Sequence, residues 1–421
     1  MYFKKSIVLV ACALMGVSCS KNVFDEQDYK TIVETAQPVT GIDDSHTWEL
    51  TTTYYITARV GNYLSEAKQL QILTANPAAG EGATVLANYL LGSNSVEYIA
   101  FTAPSYLQKF YAALIDEDGR YTVTALNPGS RTIDFSQPLA TKATVQSYLV
   151  GQQSFAYCFE DEMPEPGDYD YNDVVLRMSM ERTATNQITL DVTLVAVGSL
   201  NQIAAAIRLL NYDYADIESV TTLDNENFNQ GYRKTALPYI DSNDLLIKGR
   251  DNEAVINLFE DAHWATGAAT YTSEGYIPRY KYNVSKTTSE EHDMMSPRTV
   301  SYVITFKNAT LLDYFTFDKL DPFIIIEYNG VLMESHAKYS QRSATVLHDY
   351  KQPTNATILP WALEVPDGSF RYPLDGVNIG YAKDGALFGA FMTTGHAFGE
   401  WAANKDRAHD WYNYPTGNMV Y

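Results

Sequence analysis

The chain has 421 residues, 46% hydrophobic and 13% aromatic with 32 Tyr, and a formal net charge of −21 at pH 7. That length suggests two or three domains with ample material for packed cores, and the abundance of Tyr, Thr and Val tilts the composition toward strands. The negative charge sets nucleic acid aside as a partner, because the electrostatic part of such binding would repel phosphate.

Residues 1–18 read as an export signal: MYFKK is a basic head, SIVLVACALMGV an apolar run, and SCS closes it. The run is too short for a membrane-spanning helix. Cleavage before Cys19 would give a bacterial lipoprotein with lipid on Cys19. Cys12 has the closer local match to a lipidation motif but leaves an apolar run too short to work, so Cys19 is the expected site. The expected partner is therefore a membrane, reached through the lipid, and the expected location is the cell envelope as an outer-membrane lipoprotein, with surface exposure open. Loss of residues 1–18 removes Lys4 and Lys5 and no acid, making the mature chain more negative still. Cys158, in the apolar SFAYCF, reads as a buried small hydrophobe, and Cys19 is consumed by acylation, so no internal disulfide is expected. No later segment is long and apolar enough to span a bilayer.

Residues 19–45 are polar and acidic and read as a tether. From Trp48 the pattern changes: Trp48, Leu50, Thr52, Tyr54, Ile56, Ala58 and Val60 alternate with Glu49, Thr51, Thr53, Tyr55, Thr57 and Arg59, which predicts a half-buried strand with Trp48, Tyr54 and Ile56 facing a core. QLQIL and YTVTAL read as further strands, IDEDGRYTV carries a turn at Asp118-Gly119, and EGATVLANYLLG is ambiguous between helix and strand. A small β domain is assigned to 46–136. TKATVQSYLVG reads as a short helix at the boundary, and 150–421 as a second, larger β domain. There Val174, Leu176, Leu190 and Val192 fall on alternating core positions. IAAAIRLL fits either period, and PFIIIEYNGVLMES predicts a hairpin about Asn329-Gly330, with Ile324 and Ile326 facing the core. The expected fold class is mostly β, two β-sandwich-like domains behind a lipidated N-terminal tether.

The stretch FEDEMPEPGDYDYND, residues 159–173, holds Glu160, Asp161, Glu162, Glu165, Asp168, Asp170 and Asp173 with no Lys or Arg among them. Calcium takes six to eight oxygen ligands at about 2.3–2.6 Å. On a flat strand Asp168, Asp170 and Asn172 would stand about 6.5 Å apart, too far to share one ion. A loop could bring them together, and Pro164, Pro166 and Gly167 disfavour regular structure just upstream. The spacing is not that of an EF-hand, since Asp173 and Ser179 fall where Gly and Glu are required. The residues alone leave two readings open, a cation loop and an Asx-rich turn that caps its own backbone.

FEDEMPEPGDYDYNDVV resembles the signature of the LruC domain family of bacterial surface lipoproteins. PWALEVPDGSFRYPLDGVNIGYA and WAANKDRAHDWYNY are similar to the same family, so the resemblance covers roughly 150–421. It implies a calcium site, and by position it makes Glu160, Asp161, Asp168, Asp170, Asn172 and Asp173 the candidate ligands. The expectation is one calcium ion held through Asp168, Asp170 and Asp173, with Asn172 and Asp161 or Glu160 assisting. Magnesium fits less well because it demands a tight octahedron, and zinc because the loop holds neither Cys nor His.

No GxSxG, HExxH or GxxxxGK[ST] stretch occurs, and the seven His are scattered. The expected function is a non-catalytic envelope lipoprotein with a structural calcium loop, in adhesion or surface structure, with a glycan or protein partner. The alternatives are a glycan-binding module using exposed Tyr and Trp, and a carbohydrate hydrolase without a recognisable motif.

Overall fold

The computed structural model describes residues 41–60, 67–91, 96–135, 142–234, 238–349, 358–383 and 386–421. The expected signal peptide, Cys19 and residues 19–40 of the expected tether lie outside the described residues.

Strands dominate. The first nine are β1 (Thr51–Arg59), β2 (Ala67–Leu73), β3 (Ala83–Leu90), β4 (Val96–Pro104), β5 (Phe110–Asp116), β6 (Arg120–Leu126), β7 (Thr132–Asp134), β8 (Ala143–Thr144) and β9 (Val150–Gln152). They form a sheet ordered β4-β1-β7 and another ordered β8-β6-β5-β2-β3-β9. Ile56, Ala58, Ile99 and Phe101 from the first sheet share a core with Leu70, Ile72 and Leu114 from the second. Period two is thus real in β1, with Ile56 and Ala58 buried and Tyr55 and Arg59 exposed. At the β5–β6 turn the Asp116 carboxylate accepts the Asp118 and Arg120 amides at 3.0 and 2.9 Å, and Gly119 supplies the left-handed residue at φ 71°.

The next thirteen strands begin with β10 (Ser154–Phe159), β11 (Val174–Ala184), β12 (Gln187–Ala196), β13 (Ala204–Asp213), β14 (Ile217–Thr222), β15 (Leu246–Lys248) and β16 (Glu253–Phe259). They continue with β17 (Lys281–Tyr282), β18 (His292–Asp293), β19 (Arg298–Phe306), β20 (Leu320–Tyr328), β21 (Val331–His336) and β22 (Ala362–Val365). Two large sheets result, ordered β14-β19-β12-β11-β10-β22 and β15-β16-β13-β20-β21. Val174, Leu176, Leu190, Val192, Ile324 and Ile326 are all buried. Asn329 and Gly330, at φ 53° and 79°, make the two-residue turn of the β20–β21 hairpin. Along β10 both faces are covered: Ala156 and Cys158 pack with Trp401 and Trp411 from the C-terminal segment, while Phe155 on the other face stacks on Phe317 at 4.3 Å. That double burial is why SFAYCF reads as a continuous apolar run. No helix among the described residues is long and apolar enough to cross a membrane.

Three sequence expectations change. Of TKATVQSYLVG only Ser147–Leu149 is helical, as a single 3₁₀ turn: β8 and β9 flank it at opposite edges of the six-stranded sheet, and β9 pairs in parallel with β3. The two ambiguous stretches are strands, β3 and β13. Trp48 does not face the first core. The backbone turns left-handed there (φ 54°), and the indole packs edge-on to Trp401 at 5.4 Å with His46 stacked on it at 4.0 Å. Residues at the end of the expected tether join this contact, the Asp43 amide donating to the Ala402 carbonyl at 3.0 Å.

The β20–β21 hairpin also buries a charge triad. His336 is fully enclosed, its Nδ1 2.7 Å from Asp321 and its Nε2 3.3 Å from Glu334. Glu334 in turn accepts the amides of Val346, Leu347 and His348 at 2.6–2.8 Å. Burial by itself would lower the His336 pKa, but the Asp321 charge and hydrogen bond, then Glu334, outweigh it and raise the pKa from 6.5 to about 9. A raised folded-state pKa gives stability that is full below pH 6.5 and is lost as pH climbs through about 9. His336→Gln, which strands two buried carboxylates, is expected to cost about 3–5 kcal/mol at pH 6. Urea melts should show the gap to wild type shrinking between pH 7 and 9.5; a constant gap would mean that His336 is neutral in the fold.

Candidate metal centre

The acidic stretch is the entire connection between β10 and β11, antiparallel neighbours whose ends meet at Phe159 and Val174. Glu160 continues the ladder for one bond, its amide donating to the Trp361 carbonyl at 2.9 Å. Beyond it the chain must reverse, and Pro164, Pro166 and Gly167 keep it irregular. Tyr169 and Tyr171 then take left-handed conformations, at φ 55° and 52°, which bulky residues hold only when their surroundings impose it. Glu160 does so here. Its two carboxylate oxygens accept the backbone amides of Tyr169, at 3.1 Å, and of Tyr171.

The winding of DYDYND buries the tyrosine rings and much of the polar set together: Tyr169, Tyr171, Asp170, Asn172 and Asp173 are all buried, as is Glu160. Carboxylate oxygens of Glu160, Asp168 and Asp170 all lie within 4.8 Å of one another, and so do those of Glu160, Glu162 and Asp173. Glu160 belongs to both groups, and Asp168 and Glu162 stand on the exposed rim.

The electrostatics are unfavourable as they stand. Burial, then the Asp170, Glu162 and Asp168 charges, holds Glu160 well above the usual carboxylate range. Burial, then Asp161 and Glu160, does the same to Asp173. Asp170 is pushed up to about 8 by burial and Asp168, and Glu162 to about 7 by burial, Asp161 and Asp168. Asp168 is raised by burial and then by Asp375. Among the described residues no Lys or Arg forms an ion pair with any of the five. Lys281 pairs instead with Asp375, at 3.0 Å.

This donor set fits a hard cation. Two oxygens on one calcium ion stand at most about 5 Å apart, which both groups satisfy, and neither group contains a soft or nitrogen donor. Close packing protects the arrangement. A methyl group at Gly167 would lie 2.5 Å from Glu160 Oε2 and 2.7 Å from Glu162 Oε2, so only glycine leaves both carboxylates room. A methyl at Gly198 would lie 1.9 Å from Asn172 Oδ1, an oxygen that is buried and has no hydrogen-bond partner among the described residues.

Relative to the sequence-derived set, Asp168, Asp170 and Glu160 converge in one group, and Asp173 joins Glu160 in the other. Asp161 lies outside both groups, its Oδ2 accepting the Ser199 hydroxyl and, at 2.8 Å, the Asn201 side-chain amide, while its charge still reaches Asp173 and Glu162. Asn172 donates its side-chain amide to the Pro373 carbonyl at 3.2 Å. Glu162 was absent from that set, which followed a motif whose fixed acids skip it. The loop also grips the C-terminal segment. Asp170 accepts the Gly376 amide at 2.7 Å, Asn378 donates to the Asp168 carbonyl at 3.0 Å, and the Ile379 amide donates to the Tyr169 carbonyl at 2.8 Å.

The architecture and loop together define a mostly β protein in which the loop joining two adjacent antiparallel strands holds a buried carboxylate cluster. Within that class the chain belongs to the family described as a domain of unknown function, DUF4842, whose model matches residues 184–412, more than half of the chain. The matched span opens at the end of β11, so the clustered carboxylates precede it. Among solved structures the chain is similar to a crystal structure from Bacteroides ovatus of a protein provisionally described as a lipoprotein. The identity is 13%, the match covers 84% of this chain and 99% of that one, and the TM-score is 0.50. At that identity the likeness is one of fold. No curated protein matches the chain.

Raised carboxylate pKa values set a pH dependence. The metal-free fold holds protons that the unfolded chain releases above pH 4, so its stability falls as pH rises from the ordinary Asp value of 3.8 toward the Asp170 value of about 8. A cation must displace those protons, so its affinity rises over the same window. Calorimetry of chelator-stripped protein should show a calcium-induced rise in melting temperature that is larger at pH 8 than at pH 5. The gain at one hundred times the dissociation constant is about 2.7 kcal/mol, and it should vanish in Asp168→Ala/Asp170→Ala. No gain at either pH would leave only a proton-sharing acidic turn, and equal gains at both would contradict the displacement of those protons by the ion.

Proposed function

We propose that this chain is a non-catalytic, lipid-anchored protein of the bacterial cell envelope, in which a calcium-loaded β10–β11 loop fastens the C-terminal segment to the β framework. The observation that carries the reading is the convergence of five carboxylates in two groups about Glu160, with no Lys or Arg ion-paired to any of them among the described residues. A divalent cation there relieves the repulsion and lets the tyrosine amides stay bound to Glu160. Backbone amides already occupy both Glu160 oxygens, and the side chain is fully buried, which favours a structural over a catalytic use of the cluster.

The anchor rests on the sequence: the basic head, the short apolar run and Cys19. The Bacteroides fold neighbour carries a lipoprotein description of its own, and the LruC resemblance points to the same class of surface lipoprotein. Outer-membrane placement and a role in adhesion or surface structure belong to this proposal. Metabolic labelling with a fatty-acid probe tests the anchor. Wild type should incorporate label and fractionate with the outer membrane, and Cys19→Ala should do neither. Label that persists in Cys19→Ala would refute acylation at that residue.

A further inference from the structure

A second constellation stands apart from the acidic loop, where the first β unit meets β11 and the 309–317 connection. Along β4, Ile99 and Phe101 enter the first core, so Tyr98, Ala100 and Thr102 share the opposite face. β1 adds Tyr55, which pairs with Ala100. Tyr55, Tyr98 and Tyr314 are 45%, 56% and 44% exposed, with the Tyr314 ring 5.9 Å from Tyr55 and 6.4 Å from Tyr98. Three clustered phenol rings left half in water form an apolar platform with polar edges.

The same β4 face leads from this platform into a cavity of about 210 Å³, on the order of seven water volumes. Ala100, Phe315 and Thr316 line it, within two positions of Tyr98 or Tyr314, together with Gln71, Asn88 and Gln153. Its wall is held rigidly. The Tyr89 hydroxyl donates to the Ala100 carbonyl at 2.9 Å and accepts the Ala100 amide at 2.8 Å, and Thr102 donates to Thr316 at 3.0 Å. Arg182 lies over the Tyr89 ring at 4.5 Å and donates to the Leu312 carbonyl. Two of the lining residues, Asn88 and Gln153, keep an amide oxygen (Oδ1 and Oε1) buried behind the wall without a hydrogen-bond partner among the described residues, and Gln153 is only 4% exposed. Unmet buried acceptors are costly, and either carboxamide, turned toward the cavity, would offer its oxygen to a hydroxyl donor of a ligand there.

We propose that this platform and cavity form a binding site for a neutral saccharide. Sugar C–H faces suit the tyrosine rings, sugar hydroxyls suit the carboxamides, and the cavity has room for a single ring rather than a large ligand. The chain's net charge of −21 disfavours anionic glycans. The inference is independent of the calcium reading, since none of its residues touches the acidic loop.

The test uses detergent-solubilised full-length protein and calorimetric titration with hexasaccharides of glucose, mannose, xylose and galactose, with oligogalacturonate as the anionic arm. Titration to about 10 mM covers affinities into the millimolar range. At least one neutral hexasaccharide should bind, and Tyr98→Ala and Tyr314→Ala should each weaken it about tenfold or more. Asn88→Ala should also weaken binding without lowering the melting temperature, because it removes an acceptor that has no partner among the described residues. Absence of binding to every neutral sugar, preference for the anionic arm, or binding that survives all three substitutions would overturn the proposal.

Discussion

Glu160 is the pivot of the molecule. A carboxylate with no exposed surface, it ends one strand, binds the two tyrosine amides that begin the return to the next, and contributes to both groups of clustered acids. Burying one charge near four others is a standing cost in a low-dielectric interior. The backbone amides offset part of it, as charge-assisted hydrogen bonds do. The mutual repulsion that the amides cannot reach is what the proposed divalent cation would offset.

The consequence extends past the loop. Tyr169, Tyr171 and Cys158 belong to the same buried cluster as Phe370, Tyr372, Phe391, Trp401 and Trp411. That cluster is made by the C-terminal segment folding back over β10 and β11, and the loop's bonds to Gly376, Asn378 and Ile379 tie the segment in place. Trp48 and His46 at the start of the described chain close the same cluster from the other side. Packing and electrostatics are therefore coupled: the left-handed tyrosines enter the aromatic core only in the backbone conformation that Glu160 holds.

Much of this was legible in residues whose neighbours are local. Alternation placed Ile56 and Val192 inside, Asn329-Gly330 gave its hairpin, and the seven acids of 159–173 marked the loop. What escaped depended on distant partners. TKATVQSYLVG carries helix-compatible residues, yet only Ser147–Leu149 turns helical, and pairing with β3 and β6 makes its flanks extended. Trp48 follows the strand alternation in sequence, yet its place is set by Trp401, more than three hundred positions away. Motif position groups Asp161 with the ligands, and its place outside both groups depends on Ser199 and Asn201, about forty positions on, which bind its Oδ2. Glu162 enters the cluster through the reversal at Pro164–Gly167, a shape that no periodicity encodes.

Hydrogen exchange of chelator-stripped protein, with and without added calcium, tests the central claim most directly. The account predicts that calcium slows exchange at the Tyr169 and Tyr171 amides and, to a matching degree, at Gly376 and Ile379 across the interface, because one ion stabilises both. Protection confined to 168–173, or no change at either segment, would contradict a cation that fastens the C-terminal segment.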